Sequence, residues 1–467
     1  VTAAIPDLPA GLWVSEVEAG HHAEGTAYVT VDGHYSGDMT TYVYRTTDFG
    51  QSWESLATDE LDGFAHVVRE DPLDPELLFL GTEHGLFVSI DGGAQWARFE
   101  GNLPKVPVRD IQIHPRDHDL IVGTHGRGIY ILDDLTPLRA LDSEMLDAKI
   151  ALLPSRPAVM QMGSGFNWFN GDAEYVGRNV PRAASIFYYQ NRRHIFGDLR
   201  VEIYDADGEV VSELTGGKRR GMNRVDLPIN LPPPKLPPAT NLVFAFQGPR
   251  LPEGTYTYKL VKGDETLEGE IQLLPDPRSP HSKEDRALQQ ETAMRIYERL
   301  GDLTYLVEAL LDLEEQAAAR VESTDRRATE RTIEEYVDSL ESFRTSLVST
   351  SEAGWLSGDE KLRENLGNLY GAISNYEGRP TRTQIERTER LLAELSRAEE
   401  RFAELTGPEL ESVNRRLERA GLEPLVVVDR DAWEDDQAGS GAGLALGRVL
   451  GERELASLAH RFLGPLF

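Results

Sequence analysis

The chain has 467 residues, 79 of them acidic against 48 basic, for a formal net charge of −31, and it contains no cysteine. Without cysteine there are no disulfides, no thiolate metal ligands and no cysteine nucleophile, and a surface this acidic repels the phosphate backbones that basic proteins attract, which argues against a nucleic-acid partner. No apolar run is long enough to cross a bilayer, so no transmembrane segment is expected.

The chain opens on "VTAAIPDLPA", which carries neither an initiator methionine nor a signal peptide and suits a processed or truncated product. The first 134 residues then fall into three similar units of short strands. The first reads "LWVSEVEA", "GTAYVTV", "TYVYRT" and "SWESLA". The second reads "FAHVVRE", "LLFLGT", "GLFVSI" and "QWARFE". The third reads "VPVRDIQI", "LIVGT" and "GIYILDD", with no convincing fourth strand. Each run is apolar or alternating and is bounded by turn formers, the pattern of a strand. Between the third and fourth strands the first unit writes Thr46-x-Asp48-x-Gly50-x-Ser52-Trp53 and the second writes Ser89-x-Asp91-x-Gly93-x-x-Trp96, 43 residues apart. Four-stranded units repeated at that interval predict blades of a β-propeller. In such a turn Asp accepts backbone N–H bonds, Gly supplies a positive φ, Ser or Thr ties the loop down and Trp packs between sheets. These eight residues (Thr46, Asp48, Gly50, Trp53, Ser89, Asp91, Gly93, Trp96) are therefore structural.

The repeated turn resembles the Asp-box of bacterial neuraminidase repeats in sialidase-like and sortilin-type propellers. "DPLDPELLFLGTEHGLFVSIDGGAQW", "VPVRDIQIHPRDHDLIVGTHGRGIYILDD" and "GTAYVTVDGHYSGDMTTYVYRTTDFGQSW" are similar to the closing blades of large secreted bacterial Asp-box proteins. The likeness continues through "NLYGAISNYEGRPTRTQIERTERLL" and "VNRRLERAGLEPLVVVDRDAW". The resemblance implies the C-terminal portion of such a protein and an extracellular or periplasmic location.

Residues 150–276 turn to hairpin chemistry. "ASIFYY", "LRVEIYDADGEVV", "GMNRVDL", "NLVFAF" and "GTYTYKLVKGDETLEGEIQLL" predict the strands of a β-sandwich. Gly221-Met222-Asn223-Arg224-Val225 and Leu251-Pro252-Glu253-Gly254-Thr255-Tyr256 are similar to Ig-like modules of secreted proteins. The Pro-rich "LPINLPPPKLPP" predicts a rigid extended connection. From Ser282 the period becomes helical, with Ile296, Leu300, Leu303, Leu306, Leu310 and Leu313 on one face. Capping boxes at Ser282/Asp285, Ser357/Glu360 and Thr381/Gln384 mark helix starts. Helices are expected over 283–321, 325–348, 359–376, 382–405 and 408–420. The expected organisation is multidomain, mainly β then α. It comprises a partial propeller of about three blades (1–140), an Ig-like sandwich (150–276), an antiparallel helical hairpin or bundle (282–422), and a tail (423–467) with a Gly/Ser/Ala linker and an amphipathic segment.

A ligand site is expected on the propeller face opposite the Asp-boxes, where the loops between second and third strands carry His34, Asp38, Glu83, His84, His125 and Arg127, with Asp32, His34 and Asp38 as a weak metal set. His21 and His22 belong to a turn on the other face. No cofactor is expected. Neither a phosphate loop, a GxSxG nor an HExxH motif occurs, and no sialidase-type arginine cluster or tyrosine–glutamate pair can be matched. Three blades do not close a ring, and open blades leave faces and strand edges bare. The function expected is therefore a secreted or periplasmic binding or scaffold protein acting in a complex, its propeller completed by another polypeptide that carries the remaining blades. Other protein subunits could join it. The alternative is a sialidase-like glycoside hydrolase with catalytic residues mainly on the missing blades.

Overall fold

The computed structural model describes residues 4–161, 182–350 and 359–439. The chain divides into two compact units. One holds the strands up to Val159, those ending at Leu227 and Gly254–Leu274; the other holds Pro228–Glu253 and the helices from Pro275 onward.

In the first unit, β1 (Trp13–Ala19), β2 (Ala27–Gly33), β3 (Asp38–Thr46) and β4 (Glu54–Ser55) form one antiparallel sheet in chain order. β5 (Ala65–Glu70), β6 (Leu78–Thr82), β7 (Gly85–Ser89) and β8 (Ala97–Arg98) form a second. β9 (Val108–Ile113), β10 (Leu120–Thr124) and β11 (Ile129–Leu132) form a third, which has three strands among the described residues with β11 at one edge. Alternation gives each sheet two apolar faces. Tyr28 and Val43 of the first sheet pack against Ala65, Val68, Leu78, Leu80 and Phe87 of the second. The opposite face of the second sheet, through Val67, Phe79 and Leu86, packs against Val108, Ile111, Leu120 and Val122 of the third. The outer face of the first sheet, Val29, Val31 and Tyr44, is covered by Ile5, Leu8 and Leu12.

The two Asp-containing turns tie the sheets. Thr46 Oγ1 donates to Asp48 and accepts the Gly50 N–H (2.9 Å each), and Asp48 accepts the Ser52 N–H (2.9 Å) and hydroxyl (2.6 Å). Those donors, the Ser52 hydroxyl first, hold the Asp48 carboxyl down to about 2. The second copy repeats the bonds from Ser89 Oγ to Asp91 and from the Gly93 and Gln95 N–H groups. Gly50 and Gly93 sit at φ 79° and 94°, the left-handed region that the turn requires. Trp96, buried between sheets, donates its indole N–H to the Leu56 carbonyl at 2.9 Å.

After the short helices α1 (Thr136–Arg139) and α2 (Ser143–Asp147) come β12 (Ala151–Leu153), β13 (Ala158–Met160), β14 (Ala183–Gln190), β15 (Leu199–Tyr204), β16 (Val210–Thr215), β17 (Gly221–Pro228), β18 (Gly254–Lys262) and β19 (Glu265–Pro275). They build a three-stranded sheet, β12-β14-β17, and a five-stranded sheet, β13-β19-β18-β15-β16.

In the second unit α3 (Lys283–Glu322) is central. Ser282 caps it by accepting the Asp285 N–H at 3.1 Å, and Ile296, Leu300, Leu303, Leu310 and Leu313 are fully buried on its inner stripe. Around it lie α4 (Arg327–Leu347), α5 (Leu362–Ser374), α6 (Arg382–Glu404), a wide turn at Leu405–Glu409 that carries the chain past Pro408 into α7 (Leu410–Ala420), and α8 (Arg430–Gly439). The cap expected from Ser357 and most of the expected tail (440–467) fall outside the described residues. At the start of α5, Glu364 accepts the Lys361 N–H at 3.0 Å.

One expectation changes here. "NLVFAF", expected as a strand of the sandwich, belongs to the helical unit and pairs with no strand among the described residues. Its alternation serves a helix instead, since Val243 and Ala245 are buried in the helical core. Gly367 and Gly371 clear a lane on α5 for this backbone; a Cβ at Gly371 would stand 2.1 Å from the Phe244 carbonyl oxygen. Arg363, buried, donates to the Pro237 and Asn241 carbonyls and to Glu364, each at 2.8 Å, and Tyr370 donates to the Gln247 carbonyl at 2.7 Å. Removing Arg363 takes a donor from two carbonyls and the paired cation from the buried Glu364, which keeps the Lys361 N–H. Arg363→Ala is therefore expected to cost about 3 kcal/mol of unfolding free energy; urea melts of the two proteins, superimposable within error, would refute this role for the guanidinium.

Candidate functional site

The first strands of the three sheets carry the same irregularity. Pairing with the second strand skips one residue between Val14 and Glu16, between Ala65 and Val67, and opposite the step from Gly123 to Thr124. The extra residues, Ser15, His66 and Arg109, occupy one structural position in successive sheets. A β-bulge re-aims its side chain and is common beside functional sites. Here the bulges bring the three residues into one row. Ser15 Oγ lies 2.9 Å from Thr30 Oγ1 and 3.1 Å from the Ala65 carbonyl, Thr30 Oγ1 donates to the His66 carbonyl at 3.2 Å, and Arg109 Nη1 lies 3.3 Å from His66 Nδ1.

His66 is the centre of the row. Its Nε2 stands 2.9 Å from Glu83 Oε2, and Arg109 Nη2 reaches the same oxygen at 3.5 Å. Guanidinium only donates, so His66 accepts at Nδ1 and carries its proton on Nε2, toward Glu83. Burial pushes the imidazole below its ordinary value, with Arg109 acting in the same direction and Glu83 and Asp32 against it. Phe64 joins His66 to a second pair: its ring stands edge-on to His66 (4.8 Å between centroids) and stacks on His34 (4.7 Å, 15°). His34 Nδ1 lies 2.7 Å from both oxygens of the buried Asp32, which also accepts the His34 N–H at 2.8 Å. An imidazole held by Nδ1 to a buried carboxylate offers Nε2 as a proton acceptor. Beside this pair Tyr35 is almost wholly exposed, its ring 4.0 Å from that of His34.

The remaining expected residues divide. Glu83 turns inward to His66, whereas its neighbour His84 turns to Asp62 (2.8 Å), which also holds Lys105 (2.9 Å); those two partners, Lys105 first, lower the Asp62 carboxyl. Asp38 accepts the Thr40 N–H (3.0 Å) and the Tyr42 hydroxyl (2.9 Å), and the Thr40 side chain first, then the Thr40 N–H and Tyr42, hold its carboxyl below the ordinary range. It thus belongs to its own loop, apart from the Asp32–His34 pair. His125 and Arg127 are exposed and make no side-chain hydrogen bond or ion pair among the described residues. No group of three or more His, Asp or Glu there is arranged to hold a metal ion. At the other end of β5, Arg69 pairs with Glu18 and Glu16, His22 Nε2 lies 2.8 Å from the Asp71 carbonyl, and Arg139 grips the fully buried Asp71 from Nη2 at 2.8 Å.

No motif marks His66 or Arg109, because both lie inside strands. The signal available was alignment of the three first strands, "WVSEVEA", "AHVVRE" and "VRDIQI", which puts a polar residue at the same step of each apolar run.

No family model and no curated protein sequence matches the chain. Among solved structures, YCF48 bound to D1 peptide is 17% identical over 26% of this chain and 37% of that one, with a TM-score of 0.20. The GH74 enzyme of Niastella koreensis is 15% identical over 55% of this chain and 38% of its own (TM-score 0.23). The GH74 xyloglucanase of Xanthomonas campestris is 14% identical over 56% and 37% (TM-score 0.23). The chain thus spans under half the length of each, and at these TM-scores the likeness carries no argument about activity. No helix among the described residues is long and apolar enough to cross a membrane.

The lowered His66 value fixes a sign. The folded protein holds this imidazole neutral where the unfolded chain would protonate it. The stabilisation is therefore complete above the ordinary histidine value and is lost as pH falls below it. Urea unfolding near pH 7.5 and near pH 5.5 is expected to show a smaller acid loss in His66→Gln than in the parent, by up to about one proton of linkage. Equal losses would mean that His66 does not titrate with unfolding.

Proposed function

We propose that this chain is a propeller-based binding and scaffold protein, and that the open face of its third sheet receives further sheets carried by another polypeptide. The supporting observation is a comparison of equivalent positions. In the second sheet, Val67, Phe79 and Leu86 are at most 1% exposed, because the third sheet covers them. The same register positions in the third sheet are Asp110, Ile121 and Ile129, with Ile131 two residues beyond. Ile129 is 72% and Ile131 60% exposed. They lie on β11, whose outer edge pairs with no described strand. Two bare isoleucines on an unpaired edge are what soluble proteins avoid unless something covers them. The interface that joins the first sheet to the second and the second to the third would simply continue, which favours another four-stranded sheet as the occupant.

On this reading the first 134 residues are propeller blades, and β12–β19 form an Ig-like sandwich that links them to the helices. The row of Ser15, His66 and Arg109 with Asp32, His34 and Glu83 is then the ligand-binding rim. Binding is preferred to glycoside hydrolysis because Asp32 and Glu83 are each engaged by a histidine, whereas hydrolysis needs a carboxyl pair free to face the sugar. A secreted or periplasmic location follows from the family resemblance alone.

A photo-crosslinking residue placed at Ile131 in the cells that make the protein is expected to trap a polypeptide with its own Ser/Thr-x-Asp-x-Gly turns. Ile129→Asp with Ile131→Asp should abolish that capture while leaving the fold intact by circular dichroism. Native mass spectrometry that finds the chain alone at 52.0 kDa, with no crosslink, would overturn the proposal.

A further inference from the structure

Two neighbouring loops in the first unit break the charge pattern of the chain. One joins β14 to β15 (191–198) and contains Arg192 and Arg193. The other joins β16 to β17 (216–220) and contains Lys218, Arg219 and Arg220. The loops are bonded to each other: the His194 N–H donates to the Lys218 carbonyl at 3.0 Å, Lys218 Nζ donates to the Gly197 carbonyl at 2.8 Å, and Gln190 Nε2 reaches the Gly217 carbonyl at 3.0 Å. Arg192, Arg193, Arg219 and Arg220 are all exposed, and none of them enters an ion pair among the described residues. Other exposed arginines without an ion pair, such as Arg98, Arg127 and Arg397, lie elsewhere on the chain, whereas here four are carried by two loops bonded to each other. The first loop also carries Ile195 and Phe196, 69% and 85% exposed.

We propose that this paired loop is a docking site for an anionic lipid surface, with the four arginines facing lipid phosphates and Ile195 and Phe196 entering the boundary between headgroups and acyl chains. The chemistry selects a bilayer over a soluble polyanion. Free guanidinium groups would serve either, but a polyanion in water leaves Ile195 and Phe196 exposed, whereas a bilayer buries both beside the charges that attract it. The net charge of −31 opposes approach only at long range. Screening at physiological salt is effective beyond roughly 8 Å, so at contact the local basic patch governs. The site gives peripheral, salt-sensitive attachment rather than insertion, since two apolar side chains anchor weakly.

The test is co-sedimentation of the full chain with vesicles of phosphatidylcholine alone and of phosphatidylcholine with phosphatidylglycerol as the minor component. The chain is expected to pellet with the mixed vesicles only, and to be released when salt rises from about 0.1 to about 0.5 M. Ile195→Ser with Phe196→Ser is expected to weaken partitioning at least tenfold, and Arg192→Glu, Arg193→Glu, Arg219→Glu and Arg220→Glu together to abolish it, with circular dichroism unchanged in both. Failure to pellet with anionic vesicles overturns the proposal. So does binding that survives the double serine substitution, or binding to a soluble polyanion such as heparin that matches binding to vesicles and ignores that substitution.

Discussion

A small β-sheet built from alternating or fully apolar strands has two faces that must leave water, and the first unit is organised by how each face is covered. The middle sheet shows the requirement met twice, by Tyr28 and Val43 on one side and by Val108, Ile111 and Leu120 on the other. The first sheet meets it with a neighbour on one side and an irregular segment, Ile5 to Leu12, on the other. The third sheet meets it once. Burial of one large aliphatic side chain contributes about 2 kcal/mol, so two isoleucines left in water on an edge strand are a substantial forfeited stabilisation. That asymmetry sets the third sheet apart from the other two.

The same stacking of sheets creates the polar row. A bulge in one strand is a local matter, but three bulges in register become a row only when their sheets pack side by side. His66 shows the consequence. Its neutrality follows from burial, its tautomer from Arg109 on the next sheet, and its orientation from Glu83 at the turn of its own sheet. The Asp32–His34 pair adds a second imidazole, joined to the first by Phe64. Acid, base, guanidinium and aromatic faces thus converge within a few ångströms without any one loop supplying the set.

The helical unit solves a different problem. A segment of strand-like sequence, 241–247, lies along α5 because two glycines four residues apart remove the side chains that would block it, and because Arg363 and Tyr370 satisfy carbonyls that a sheet would otherwise have paired. α8 is held in the same spirit: the buried Trp433 donates to Glu308 at 2.7 Å and lies under the Lys235 ammonium, 4.6 Å from the ring centre. The Pro-rich connection therefore acts as part of the bundle's packing.

What the sequence determined by itself was local. Period-two and period-3.6 patterning marked β1 to β11 and the long helices to within a few residues, and the Asp-containing turns announced their own hydrogen bonds, because turn and helix chemistry depend on residues a few positions apart. The interruption expected between 405 and 408 and the strand expected over 241–246 differ from the structure because a wide helical turn in one case and a neighbouring helix in the other overrode local preference. In the candidate site, His34, Glu83 and His84 were legible as polar residues in exposed loops, and the pairing of Asp32 with His34 spans only two positions. His66 and Arg109 were not, since a charged residue inside a strand acquires meaning only from what the next sheet places beside it. The partners of Glu83 and His84, the burial that keeps His66 neutral, and the bare face at Ile129 and Ile131 all depend on contacts between residues 17 or more positions apart or between separate sheets, and those contacts were decided by the tertiary structure alone.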